Sequence, residues 1–262
     1  MFERTRWPGN PLRLSEVESE DDLDFYPCLV DGALASIYVN LRFERGRLPI
    51  HDTRYTIAIV MREAGEYGIG TVAETAALDL VEEDLMARGH ALGLVYVGRL
   101  RTRGTWEITF YGPRGRLDSL RARATERAGD RRVAAMMNPE PAWTYYHELL
   151  LPDAERRQWM DDRRMVQILS EQGDRLAIPR RVDHRLSFPT TAARQAFITS
   201  ALAAGFALDG TSESDDELPH RVRVYRIDPI ELDHVHDVVM VLVDEAVRQR
   251  GRYDRWEAAI TS

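Results

Sequence analysis

The order strand, helix, strand, strand, helix, strand can be traced twice along this sequence, at about 53–137 and again at about 180–260. Each copy has the length of one split β-α-β unit, the ferredoxin-like motif. A chain of 262 residues is long enough for two such domains, each with its own core. The pattern predicts an α+β fold of two tandem ferredoxin-like (βαββαβ) modules, which we expect to occupy residues 1–152 and 153–262.

An N-terminal β-hairpin extension is predicted ahead of the first repeat. The segment YPCLVDGALASIYVNLRF has two apolar runs on either side of Asp31-Gly32, a dipeptide that favours a tight hairpin turn. The first sheet should be covered on both faces, because its strands carry apolar residues on both. We expect the hairpin or the other module to lie against it. The segment 138–153 is rich in proline, aromatic and leucine side chains, which favours packing over a flexible tether.

Charge and hydropathy exclude several classes of protein. The formal net charge of -8 argues against general binding to nucleic acid or acidic membranes. No apolar run approaches the roughly 20 residues needed to span a bilayer, and the start lacks the apolar core of a secretory signal. We therefore expect a cytoplasmic protein without membrane contact.

The sequence contains no recognisable catalytic or metal-binding motif. His234 and His236 lie two apart on a predicted helix, so their side chains diverge. Cys28, the single cysteine, lies in an apolar strand and is interpreted as an inert thiol. The glycines of GEYGIG lack the spacing of a phosphate-binding loop, and the acids at 82–84 are interpreted as a solvated helix face. No catalytic residue, metal, cofactor or small-molecule ligand is predicted.

His184 is predicted to lie inside the second module. Strand alternation gives it the helix-facing side of the first strand, and gives Asp254 the same side of the last strand. These strands are neighbours in a ferredoxin-like sheet, so Asp254 could bond His184. We interpret the pair as a buried polar latch, because a buried polar group must find a partner. The alternative is a catalytic or sensing pair.

The opposite, open face of the same sheet is the main candidate for binding. Alternation places there six side chains from three strands: Arg185, Arg221, Arg223, Tyr225, Tyr253 and Arg255. Such residues can hold phosphate, stack on bases or anchor a protein partner. The alternative is that this face packs against the first module or forms salt bridges with nearby acids. A second arginine-rich stretch, from Arg99 to Arg132, offers another surface for RNA.

Two segments resemble known families. From about residue 155 onwards the chain resembles the regulator of ribonuclease E activity B family, through Pro179, Val182-Asp183-His184, Phe188-Pro189, Ala204-Gly205-Phe206, Tyr253-Asp254 and Trp256-Glu257. Up to about Pro152 it is similar to the bacterial domain of unknown function 695 family, through Glu74, Glu82, Val97-Gly98-Arg99, Phe110-Tyr111, Pro141, Trp143, Tyr146, Leu150 and Pro152. The first resemblance implies a ferredoxin-like second module and regulation of RNA turnover by protein contact. The second implies no activity.

Three functional hypotheses remain at this stage. The leading one is a non-enzymatic regulator that binds another protein through the open sheet, with a ribonuclease as a candidate partner and with the acidic loop 209–217 selecting a basic surface. The second is RNA binding by the arginine-rich faces. The third is an enzyme whose site is assembled at the module boundary.

Overall fold

The computed structural model describes residues 21–261, so residues 1–20 of the predicted first domain lie outside it. The chain divides into two compact units between Arg156 and Arg157. No helix in the described part of the chain is long and apolar enough to cross a membrane.

The first unit contains a six-stranded antiparallel sheet. Its strands are β1 (Leu23–Val30), β2 (Ala33–Asn40), β3 (Thr53–Val60), β4 (Val95–Thr102), β5 (Thr105–Gly112) and β6 (Val133–Pro139). Their order across the sheet is β1-β2-β4-β5-β3-β6. Helix α1 (Val72–Ala91) connects β3 to β4, and α2 (Leu117–Ala128) connects β5 to β6. The predicted order of strands and helices is confirmed in this unit.

The N-terminal hairpin extends this sheet and does not cover it. β1 and β2 turn at Asp31 and Gly32, which both have positive φ, as a tight hairpin turn requires. β2 then pairs with β4 along its free edge. The expectation that the hairpin lies against a face of the sheet is wrong, because the backbone groups of that edge take β2 as their partner.

The two helices cover one face of the sheet. α1 begins after Thr71, whose side chain accepts a hydrogen bond from the N–H of Glu74, as a threonine N-cap does. Leu78 and Leu85 of α1 and Leu120 of α2 are fully buried in the core beneath them. The sheet contributes Tyr55, Ile57, Ile59, Trp106, Ile108 and Phe110 to the same core.

The segment after β6 packs on the sheet's other face. It contains a π-helical turn (Tyr146–Leu150) and the buried Trp143. Trp143 stacks on Tyr111 of β5 with ring centroids 4.2 Å apart. The Tyr146 hydroxyl donates to the carbonyl of Asn40 at 2.6 Å. The aromatic segment therefore packs within the first unit, as predicted. It covers the face of the sheet opposite the two helices.

The second unit contains a four-stranded antiparallel sheet. Its strands are β7 (Arg180–Phe188), β8 (Ala207–Glu213), β9 (His220–Asp228) and β10 (Arg252–Ala258), in the order β10-β7-β9-β8. Helices α4 (Thr191–Ala203) and α5 (Leu232–Arg248) pack on one face, through Phe197, Leu242, Leu186, Phe188, Val222 and Val224. The predicted element order is confirmed here as well.

A lead-in helix, α3 (Ala154–Glu171), is bonded to the second unit through Asp162. This buried carboxylate accepts hydrogen bonds from Trp256 Nε1 of β10 at 2.9 Å and from Gln158 at 3.0 Å. Its other oxygen lies 2.8 Å from His236 Nδ1 of α5. Asp162 therefore joins α3, α5 and β10 at one buried point.

Candidate functional site

The face of the second sheet away from α4 and α5 carries the arginines predicted for it. Val222 and Val224 of β9 face the helices and are buried, so Arg221, Arg223 and Tyr225 between and beyond them face the other way. Arg185 of β7 lies on the same open face, because it is directly opposite Arg223.

Three of these arginines form a row across neighbouring strands. Arg255 of β10 is directly opposite Arg185 of β7, which is in turn directly opposite Arg223 of β9. Like charges in directly opposite positions destabilise a sheet. The row is therefore unfavourable for the sheet unless anionic groups accompany it.

Tyr253 does not lie on this face. A bulge in β10 leaves Asp254 without an opposite residue, so Tyr253 is opposite Leu186 and Arg255 is opposite Arg185. Leu186 faces the helices, and Tyr253 accordingly packs against the core beneath them. Regular alternation places Tyr253 on the open face because it does not allow for the extra residue in β10.

The same bulge separates His184 from Asp254. His184 Nδ1 lies 2.8 Å from the hydroxyl of Tyr253, while Asp254 accepts a hydrogen bond from the Ser187 hydroxyl at 2.6 Å. The structure does not bring the predicted His184–Asp254 pair together. His184 is fully buried, and its second ring nitrogen has no hydrogen-bond partner among residues 21–261.

The pH dependence of folding should reflect His184. Burial lowers the pKa of His184 from 6.5 to about 4, so the unfolded chain takes up a proton below about pH 6.5 whereas the folded chain does not until about pH 4. Stability contributed by the neutral ring is complete above pH 6.5 and is lost as the pH falls towards 4. The difference in unfolding free energy between wild type and His184→Leu should shrink by about 3 kcal/mol from pH 7 to pH 4. Urea unfolding at each pH measures it.

Tyr253→Phe is the control for that experiment. It removes the hydroxyl but leaves His184 buried, so the pH dependence should persist. A wild-type and His184→Leu difference that stays constant with pH would contradict the assignment.

Each arginine of the open face is paired with a carboxylate of its own unit. Glu257 accepts from Arg255 Nε at 2.8 Å and from Arg185 at 2.9 Å. Asp209 pairs with Arg223, and Asp216 with Arg221. The arginine side chains nevertheless stay about half exposed, at 42% for Arg185 and 59% for Arg255. Exposed pairs of this kind contribute little to stability and exchange partners readily.

Further members of this face were not singled out in the sequence. Arg181 lies over the Tyr225 ring, 3.9 Å from its centroid, and pairs with Asp183 and Asp209. Arg181 and Glu257 follow the same strand alternation as the predicted residues, so alternation alone is enough to place them on the open face. Asp209 could not, because it lies at a second bulge, between Leu208 and Gly210 of β8.

Two carboxylates of this face, Asp209 and Glu257, have lowered pKa values and stay ionised at neutral pH. The hydrogen bond from Arg181, together with that from Arg223, lowers the pKa of Asp209. Burial acts to raise the pKa of Glu257, but hydrogen bonds from Arg255 and Arg185 outweigh it, so that pKa is lowered too. Asp209 and Asp216 of the predicted acidic loop thus pair with arginines of their own unit.

A shallow depression of about 530 Å³ lies on this face, towards the end formed by the C-terminal part of β7 and the N-terminal parts of β9 and β10. Five arginines line it and only one carboxylate does: Arg185, Arg221, Arg223, Arg252, Arg255 and Asp254. The other carboxylates named above do not line it. Arginines are therefore the main charged groups of the lining, and their carboxylate partners other than Asp254 lie outside it.

A polar cluster in the first unit centres on Glu82 of α1. Its buried carboxylate accepts hydrogen bonds from Trp106 Nε1 at 2.7 Å, from Arg99 at 3.0 Å and from the Tyr96 hydroxyl. The interpretation of residues 82–84 as a solvated face is wrong for Glu82. Burial first, and then the Glu82 charge, hold the pKa of Tyr96 well above its ordinary value.

The arginine-rich stretch of the first unit is largely committed to internal pairs. Arg99 pairs with Glu82 and Asp79, and Arg131 pairs with Glu74. Within residues 21–261, no group of three His, Cys, Asp or Glu side chains is arranged to hold a metal ion.

Two family models match the chain. The Family of unknown function (DUF695) matches residues 21–151, half of the chain, and the Regulator of ribonuclease activity B matches residues 159–258. Both resemblances predicted from the sequence are confirmed. No curated protein matches the chain significantly.

Among solved structures, the chain is similar to an unknown protein from Galdieria sulphuraria, with 8% sequence identity and a TM-score of 0.22. The similarity covers 80% of this chain and 99% of that chain. It is too weak to support an inference about fold or function.

Proposed function

This chain belongs to the family of unknown function DUF695 and its residues 159–258 match the regulator of ribonuclease activity B, and on this premise we propose that it is a non-enzymatic regulator that modulates RNA turnover by contacting a ribonuclease. The match over residues 159–258 is the observation that carries the proposal. It covers the whole sheet of the second unit and both helices packed on it.

We assign the contact to the open face of the second sheet. Half-exposed arginines and Tyr225 supply the side chains that are enriched at protein interfaces. The face has six arginines, and five carboxylates pair with them: Asp183, Asp209, Asp216, Asp254 and Glu257. This near balance of charge suits a protein partner better than a phosphate chain, which needs a strongly basic surface.

We also infer that each unit is a ferredoxin-like module and that the chain consists of two domains, at 1–152 and 153–262. The sheet orders support the first inference: β6-β3-β5-β4 and β10-β7-β9-β8 both place the first strand of a repeat between its fourth and third strands. The division of the chain between Arg156 and Arg157 supports the second.

A binding role is favoured over catalysis on this face. The hydroxyl of Ser187 on this face donates to Asp254 at 2.6 Å. A serine nucleophile needs a neighbouring base such as imidazole, but the nearby His184 faces the helices on the other side of the sheet.

A ribonuclease assay tests the proposal. Purified wild-type chain, added to an extract of the organism that encodes it, is expected to change the decay rate of a fluorogenic RNA. The double variant Arg185→Glu/Arg223→Glu should need about tenfold more protein for the same effect, because reversed charges at the centre of an interface repel the correct partner.

The matched control is Arg248→Glu on the exposed side of α5, which should behave like wild type. An unchanged decay rate with wild-type protein would contradict the regulator proposal. A fully active double variant would contradict only the assigned surface.

A further inference from the structure

We propose that the depression on the open face of the second sheet binds carboxylates of an acidic segment in a protein partner, two of them about one helical turn apart. This inference rests on the proposed use of the face as a protein interface, and it specifies the chemistry of the part that binds.

The arginine row is the first argument. Arg255, Arg185 and Arg223 lie directly opposite one another on three adjacent strands, so their charges repel at close range. Glu257, which bonds Arg255 and Arg185, and Asp209, which pairs with Arg223, offset part of that repulsion, and ligand carboxylates above the row would offset more of it. Planar guanidinium groups also bind carboxylates through two parallel hydrogen bonds, which a lysine row could not do.

Arg185 at the centre of the row has an unused hydrogen-bond donor. Its Nε is buried and has no partner in residues 21–261, although its terminal nitrogen bonds Glu257. A buried N–H without an acceptor is costly. A ligand oxygen reaches this nitrogen only if the Arg185 side chain turns outwards, and it would then give the donor the acceptor it lacks.

The existing ion pairs do not block such a ligand. Arg185, Arg223 and Arg255 remain 42%, 46% and 59% exposed after pairing. Pairs at this exposure are worth little in water. A ligand carboxylate that contacts Arg185 and Arg223 together would bridge the two neighbours in the row that Glu257 does not already bridge.

Two bulged aspartates frame the site and select against RNA. Asp209 is the extra residue in β8 and Asp254 the extra residue in β10, and these strands are the two edges of the sheet. Both carboxylates lie on the open face, since each pairs with arginines there. A phosphate backbone that crossed the sheet would approach one of these charges on leaving the row, whereas side-chain carboxylates can stop short of them.

The spacing of the row indicates the form of the ligand. Directly opposite residues in adjacent strands have Cβ atoms about 4.5–5.5 Å apart. Side chains four residues apart on a helix are about 5–6 Å apart. A helix with acidic residues at i and i+4 therefore places two carboxylates over two neighbouring arginines.

Fluorescence anisotropy with a defined probe tests this inference on the full chain. The probe is a labelled helical peptide with glutamate at every fourth position, and its control has glutamine at those positions. The glutamate peptide is expected to bind wild type, and Arg185→Gln should weaken binding by at least about tenfold. Arg248→Gln on α5 should leave it unchanged. Arg223→Gln provides a second variant in case Arg185→Gln unfolds, which a melting curve would reveal.

Several results would overturn the inference: no binding, equal binding of the glutamine peptide, or equal losses in Arg185→Gln and Arg248→Gln. Tighter, Arg185-dependent binding of a poly-uridine oligonucleotide would also overturn it, in favour of RNA. Because the peptide assay contains no ribonuclease, peptide binding without an effect on RNA decay supports this site while contradicting a ribonuclease partner. An effect on RNA decay without peptide binding overturns this inference alone.

Discussion

Replacing Asp162 with alanine is expected to destabilise the second unit by about 3 kcal/mol, because buried donors would lose their acceptor. The indole N–H of Trp256 and His236 Nδ1 both lie within 3 Å of this carboxylate, and both come from other elements. Losing the junction should also loosen α3. Hydrogen exchange at increasing urea, which reads each unit separately, measures the change.

The adjacent Asp161 is the matched control. Its side chain is 61% exposed and pairs with Arg164 at 3.8 Å. Asp161→Ala should change stability by no more than about 0.5 kcal/mol. Equal effects from both substitutions would indicate that helix α3 is not held through Asp162.

Replacing Glu82 with alanine is expected to destabilise the first unit by about 3–5 kcal/mol. The substitution leaves Arg99, which is only 13% exposed, with Asp79 as its one remaining carboxylate partner among residues 21–261. It also removes the acceptor of the Tyr96 hydroxyl and of the Trp106 indole N–H. Hydrogen exchange over β4, β5 and α1 should rise together, because this carboxylate of α1 bonds residues of β4 and β5.

Glu83→Ala is the comparison variant, since Glu83 is the next residue on the same helix and is exposed. It should cost no more than about 0.5 kcal/mol. If Glu82→Ala were equally mild, the polar cluster would not stabilise the first unit.

Regular strands made part of the candidate site predictable. β7 and β9 pair without interruption, so alternation places Arg185, Arg221, Arg223 and Tyr225 where the structure has them. β10 contains one extra residue, so the regular alternation of side chains between the two faces of the sheet fails on one side of it. No residue type at Asp254 signals a bulge in advance, because the irregularity depends on the partner strand.

A similar shift explains why the Glu82 cluster was missed. A bulge at Val97 in β4 puts Tyr96 opposite Phe110 and Arg99 opposite Ile108, so both point towards the helices. Regular alternation assigns those two residues to different faces. An acidic triplet on a helix then looks solvated, because its buried partners come from a strand whose register the sequence does not reveal.

Long-range partners were beyond prediction for a different reason. Asp162 is 74 residues from His236 and 94 residues from Trp256. Helical periodicity can place Asp162 on a face of α3, but it cannot say which elements that face will meet. Such contacts follow from packing, not from local spacing.

The bulges of the second sheet also affect the tendency of the chain to aggregate at high protein concentration. β8 and β10 are the two strands whose outer backbone groups could template an extended segment of another molecule, the first step of edge-to-edge aggregation. Each is interrupted near its middle by an extra aspartate, which breaks the regular ladder and adds a charge. Misassembly along these borders is thereby discouraged. The chain can therefore expose an arginine-rich binding face to a partner without edge-to-edge pairing between the sheets of different molecules.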